Sequence, residues 1–208
     1  MTTLKFIFIF LLIGLYSCGQ NSAKQEVNPA ATALTNKIIL LVNYLENADS
    51  CKKALSYLDS ATTIDSNCFL CYHDKLMFLS SLREFDKAIL AINNCIRIVP
   101  NANDLYLTGG ILYAKTGDST LSKKYFEKSL AILNPVLDTM NVNNSNYLML
   151  LGNKAVNLIM LGKDNQLNEL INKLPDAQTD LELKLKKNIL AKRNMSKNEL
   201  INRITGDQ

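Results

Sequence analysis

The chain has no tryptophan, one histidine, four prolines and eight glycines in 208 residues. A single histidine leaves little material for a His-based acid–base pair, and so few glycines supply no glycine-rich phosphate cradle. Charge of one sign is lacking as well. There are 23 Lys+Arg against 19 Asp+Glu, a formal net charge of +4, and the basic residues are dispersed along the chain. That excludes the clustered footprint of a nucleic-acid-binding surface. From Pro29 onward no stretch alternates apolar and polar residues with the period of two that marks a half-buried strand. What is present fits a chain that buries a core: 48% apolar and 20% charged residues, enough length for one domain or two small ones.

The N-terminus carries targeting features. Lys5 forms a short positive region, and residues 6–15 are a continuous apolar run, too short to span a bilayer as a mature helix. The pattern predicts a cleaved signal peptide over residues 1–17. Its end, Leu15, Tyr16, Ser17 and Cys18, resembles the lipobox of bacterial lipoproteins: an aliphatic residue, a small one, then the cysteine that is lipidated. The resemblance implies a diacylglycerol thioether and an acylated (palmitate-type) amino group on Cys18. It also implies residence in the cell envelope, with Gly19 rather than Asp after the cysteine pointing to the outer membrane facing the periplasm. Residues 18–28 are then the lipidated cysteine and a polar, aperiodic tether.

The remainder repeats with a period of 34. Ala54, Ala88 and Ser122 share that spacing, as do Leu58, Ile92 and Phe126, and then Ala61, Cys95 and Ser129. Pro100 stands 34 residues before Asn134, with Pro135 next to it. This resembles the tetratricopeptide repeat (TPR), a helix–turn–helix unit in which small residues at two positions and a large apolar one between them let helices pack closely. Gly110, Tyr113 and the Gly117-Asp118 turn extend the likeness, and Ala155, Leu158, Gly162 and Ile171 continue it in a divergent fourth unit. The resemblance implies an all-α fold, a right-handed α-solenoid of about four TPR-like units over residues 29–175. Two C-terminal helices within residues 176–208 would cap it, because a terminal repeat has no neighbour to bury its face.

Local signals place the elements. Asn28 before Pro29 predicts a helix start, with the first helix running to about Ala48 and Asp49-Ser50 capping the next. Residues 135–146, rich in asparagine, read as an exposed loop between the third and fourth units. Thr179 with Glu182, and Ser196 with Glu199, are capping-box pairs that predict helices over about 180–193 and 197–205. Leu181, Leu185 and Ile189 are the apolar positions expected to cover the end of the stack. Lys184, Lys186, Lys187, Lys192 and Arg193 make this region basic, a solvated face or a contact for anionic headgroups or an acidic partner.

Candidate chemistry is sparse. Cys68, Cys71, His73 and Cys95 suggest a zinc site, but residues two apart on a helix point to different sides, which separates His73 from Cys71. Haem attachment needs histidine directly after the second cysteine, where Tyr72 stands, and thioredoxin-like chemistry needs a βαβ setting. Cys71 is expected to approach Cys95 across a helical hairpin. Both then serve as buried small residues, or Cys71 enters a disulfide. Cys51 lies a whole helix away from Cys68. No metal, cofactor or catalytic residue is expected, so the chain is read as a non-enzyme.

The TPR resemblance implies a ligand-binding concave surface lined by the first helix of each unit. Its positions here include Leu70, His73, Met77, Leu107, Ile111, Val156 and Met160, an apolar strip with polar flanks suited to an amphipathic helix or extended apolar segment of a protein partner. Ile39 and His73 occupy places where chaperone-binding relatives use lysine, so recognition of a chain-terminal carboxylate is not expected. The function implied is a membrane-anchored scaffold binding a protein or peptide in the envelope. The alternatives are a subunit or immunity-type binder of an envelope or secretion system, and a Cys/His metal- or redox-active protein.

Overall fold

A computed structural model of the chain describes residues 28–206. The signal peptide, Cys18 and the tether as far as residue 27 lie outside the described residues. Their regular secondary structure is helical throughout, with no strand among them. They form two compact units that divide at Ser119.

In the first unit α1 (Pro29–Asn36) starts as the sequence predicts: the Asn28 side chain accepts the Ala30 N–H at 2.9 Å, and Pro29 sits where its missing N–H costs nothing. The predicted continuation to Ala48 does not form. Backbone hydrogen bonds reach back only three residues at Lys37, Ile38 and Leu41, and a 3-10 turn follows at Leu41–Tyr44. Thr35, Ile38, Ile39 and Val42 are β-branched, and the Thr35 hydroxyl donates to the Thr32 carbonyl at 2.9 Å; both features weaken a continuous helix. The cap of α2 (Ala48–Ile64) is Asn47, earlier than Asp49-Ser50, its side chain accepting the Ser50 N–H at 2.8 Å.

Three further helices complete this unit: α3 (Phe69–Ser81), α4 (Phe85–Ile98) and α5 (Asn103–Lys115). Each packs on the one before it through a short connection, the arrangement of successive helical hairpins. The turn between α3 and α4 places Arg83 in the left-handed region, φ 61°. After α5, Gly117 takes φ 88°, a conformation that only glycine adopts without strain. Two apolar clusters fill the unit. Ala31, Ile38, Cys51, Ala54, Leu58 and Phe78 belong to one, and Leu76, Ala88, Ile92, Cys95, Leu105 and Leu112 to the other. Arg97 on α4 holds the α2–α3 connection through Asn67 Oδ1 (2.9 Å) and the Ser66 carbonyl (2.5 Å).

The second unit contains α6 (Ser119–Thr139), α7 (Tyr147–Leu161), α8 (Asp164–Asn172), α9 (Asp180–Lys192) and α10 (Lys197–Thr205). Pro135 lies inside α6 instead of ending it, so the predicted loop over 135–146 shrinks to residues 140–146. Burial of Leu133 and Leu137 on either side of the exposed proline offsets the backbone hydrogen bond that it forfeits. In the loop, Asn141 and Asn144 each accept the N–H two residues on, at 2.9 Å, closing two Asx turns. Helix α7 is buried along nearly its whole length, packs on α8 and α9, and ends at Gly162, φ 68°. Ile189 of α9 passes 3.8 Å from where a Cβ on Gly152 would stand. Both predicted capping boxes form. Of the apolar positions expected to cover the stack, Ile189 is buried and Leu185 half-buried, while Leu181 faces solvent.

All nine residues on the 34-residue grid are buried: Ala54, Ala88 and Ser122; Leu58, Ile92 and Phe126; Ala61, Cys95 and Ser129. On each of α2, α4 and α6 they follow the small–large–small spacing of one helix face.

Candidate functional site

The seven residues expected to line a groove fall on three helices. Leu70, His73 and Met77 are on α3, and Leu107 and Ile111 on α5 of the same unit; Val156 and Met160 are on α7 of the other. Leu70 is 54% exposed, Met77 is half-buried against the first apolar cluster, and the remaining five are buried. A ligand on this face of the first unit therefore meets Leu70 and Met77 first. His73 stacks on Phe69 with 5.7 Å between ring centroids. Its Nδ1 is 3.7 Å from Asp74 Oδ1, too far for a hydrogen bond. Asp104, at the start of α5, has its carboxyl pushed above the usual range by burial, with two backbone N–H groups and the His73 charge opposing the shift. The lone histidine thus lies with two carboxylates on the α3 and α5 side of the unit, which gives that side polar character.

A second concavity, of about 440 Å³, lies between α2, α3 and α4. The repeat pattern gave no hint of it, because its polar residues come from three separate helices. Leu55, Leu79 and Ala91 make its apolar floor, and Leu90 stands on its rim. Lys75 is fixed inside it: the ammonium is 2.8 Å from Asp59 Oδ1, donates to Thr62 Oγ1 at 2.9 Å and sits 5.4 Å from the Tyr72 ring centroid. Across from it Lys87 pairs with Glu84 at 2.7 Å, and that hydrogen bond raises the lysine's pKa. Lys52 completes the positive side. An apolar floor with charges of both signs on its walls suits a peptide segment carrying apolar and polar groups in alternation.

No protein-family model matches the chain, and no curated protein is significantly similar to it.

At the cysteines the disulfide alternative forms at Cys71, with Cys68 as the partner, and Cys95 is buried. Cys68 and Cys71 are joined in a disulfide at the first turn of α3. Cys68 is also the helix cap, its sulfur accepting the Cys71 N–H at 3.2 Å. Cys71 therefore pairs with its near neighbour, and Cys95 is a free, buried thiol. Burial, with Asp104 and Asp74 nearby, pushes the Cys95 pKa up to about 12. Cys51 is likewise free and buried; its thiol donates to the Leu45 carbonyl at 3.3 Å, and burial raises its pKa. Among the described residues no three His, Cys, Asp or Glu side chains converge as a metal ion would require. No helix among them is long and apolar enough to cross a membrane.

Proposed function

We propose that this chain is a lipid-anchored helical scaffold without catalytic chemistry of its own, a short solenoid of TPR-like hairpins that binds a protein or peptide partner in the bacterial envelope. The observation that carries the reading is the burial of all nine grid residues on α2, α4 and α6. A 34-residue recurrence of small–large–small residues is what stacked hairpins need, since each buries its apolar face on the next. Cys18, following the apolar leader, supplies the anchor in this reading. The Cys68–Cys71 bridge is a staple on the first turn of α3, because both cysteines are buried and present no sulfur to a partner thiol.

The first unit offers a partner the α2–α3–α4 concavity and the Leu70–Met77 face of α3. Placing a photo-crosslinking side chain at Leu90 or at Leu70, both exposed, in the full chain in its own membranes separates them. One discrete protein adduct at one position, lost when the neighbouring Lys75→Glu or Met77→Glu is added to a still-helical chain, identifies the binding face. Absence of adducts at both positions, with the protein folded and membrane-bound, refutes binding by this unit.

A further inference from the structure

We infer that residues 37–44 of the first unit lie on the surface of the phospholipid bilayer that anchors the chain, an inference that rests on lipidation at Cys18. Where α1 gives way to the 3-10 turn, Ile38, Leu41 and Leu45 point into the core. Their neighbours do not. Ile39 is 63% exposed, Leu40 73%, Val42 36% and Tyr44 59%, four large apolar side chains within six consecutive residues. Exposure so concentrated marks a contact surface rather than ordinary scatter. The segment thus turns one side to the core and presents the other as a short apolar knuckle.

Position along the chain names the occupant. Nine residues lie between Cys18 and Asn28. Whatever its conformation, the chain from Cys18 to Asn28 reaches at most about 35 Å, and α1 adds about 12 Å. An acylated Cys18 therefore holds the knuckle within about 50 Å of the bilayer at the very most, so docking costs little further translational freedom. The side-chain chemistry agrees. Tyr44 is an amphipathic aromatic of the kind that settles at headgroup level. Around the segment, Lys37, which sits over the Tyr57 ring, and the exposed Lys53 are matched by Glu46 and Asp49 of opposite sign. With the charges nearly cancelling, apolar insertion dominates and headgroup charge is secondary.

The absence of tryptophan makes the test direct. A Leu40→Trp reporter is introduced in the full chain, purified from membranes and reconstituted into phosphatidylethanolamine–phosphatidylglycerol vesicles; a Leu90→Trp reporter, equally exposed on α4, is the control. The expected result is blue-shifted emission from Leu40→Trp, quenched several-fold more strongly than Leu90→Trp by lipids brominated on the acyl chains. Adding Ile39→Glu and Val42→Glu abolishes the difference. Equal, weak quenching of both reporters, while the chain floats with vesicles and Cys18→Ser releases it, overturns the docking and leaves the anchor intact. A blue shift without lipid that grows with protein concentration assigns the knuckle to a second copy and likewise overturns it. If the unmodified chain does not float with vesicles, the anchor fails and the docking fails with it.

Discussion

Ile92 and Leu90 lie two residues apart on α4, and substituting each by alanine separates the grid face from the solvent face of one helix. Ile92 is fully buried among Ala88, Cys95, Leu105 and Leu112, whereas Leu90 is 66% exposed. Ile92→Ala removes three buried carbons, about 0.8 kcal/mol each in transfer free energy. The space left behind adds to this according to how far the neighbours relax, so the total loss is about 2.5–4 kcal/mol. Leu90→Ala removes mostly hydrated surface, and alanine is the better helix former, so the expected change is within about 0.5 kcal/mol. Far-UV circular dichroism in urea reads the difference: Ile92→Ala moves the midpoint down by roughly 1–2 M, and Leu90→Ala leaves it in place. Leu58→Ala, 34 residues earlier and also fully buried, behaves as Ile92→Ala does. A loss below about 1 kcal/mol for Ile92→Ala, or equal losses at 90 and 92, would refute the assignment of the 34-residue grid to the packed face.

Other expectations follow from the cysteines and the C-terminal helices. Native protein at pH 8 leaves Cys51 and Cys95 unlabelled by maleimide, whereas urea without reductant exposes both; a thiolate fraction about a thousandfold below that of an ordinary cysteine protects Cys95, and fast native labelling there disproves its burial. Replacing both Cys68 and Cys71 by serine removes a bridge across a very short loop, so stability falls by no more than about 2 kcal/mol in a thermal melt; loss of all helical signal would show that the bridge organises far more than the first turn of α3. Lys192, half-buried near Arg203 with its ammonium on Asn188, has its pKa lowered to about 8, first by burial and then by the Arg203 charge. The unfolded chain holds that proton more tightly, so this residue's contribution to stability declines as pH falls from 10.5 toward 8 and stays low below that. Lys192→Met therefore raises the melting temperature at pH 7 by a few degrees and changes little at pH 11; the reverse order sinks the argument. Ser196→Ala opens the second capping box and costs about 1 kcal/mol, measured as faster amide exchange in α10.

The sequence alone determined the helical class, the buried grid, both C-terminal caps and the start of α1, because each depends on residues a few positions apart on one helix face or at one helix end. It also carried the apolar leader and Cys18, on which the anchored reading depends. Tertiary structure decided the rest. Whether α1 runs on past Asn36 turns on a balance between weak helix formers and the docking of Ile38, Leu41 and Leu45 into the core, and no local pattern records that balance. Pro135 signals a helix end locally and is overruled by the burial of Leu133 and Leu137. Cys71 meets Cys68 because the sulfur that caps the helix is also the sulfur nearest to it, leaving Cys95 to fill a space that a small side chain fits. The α2–α3–α4 concavity exists only once three helices are brought together, since its lysines, carboxylates and leucines are dispersed over residues 52–94 with no spacing in common. Local periodicity records which side of a helix is buried; the partner that buries it, and the surface left open, emerge only from the packing of whole helices.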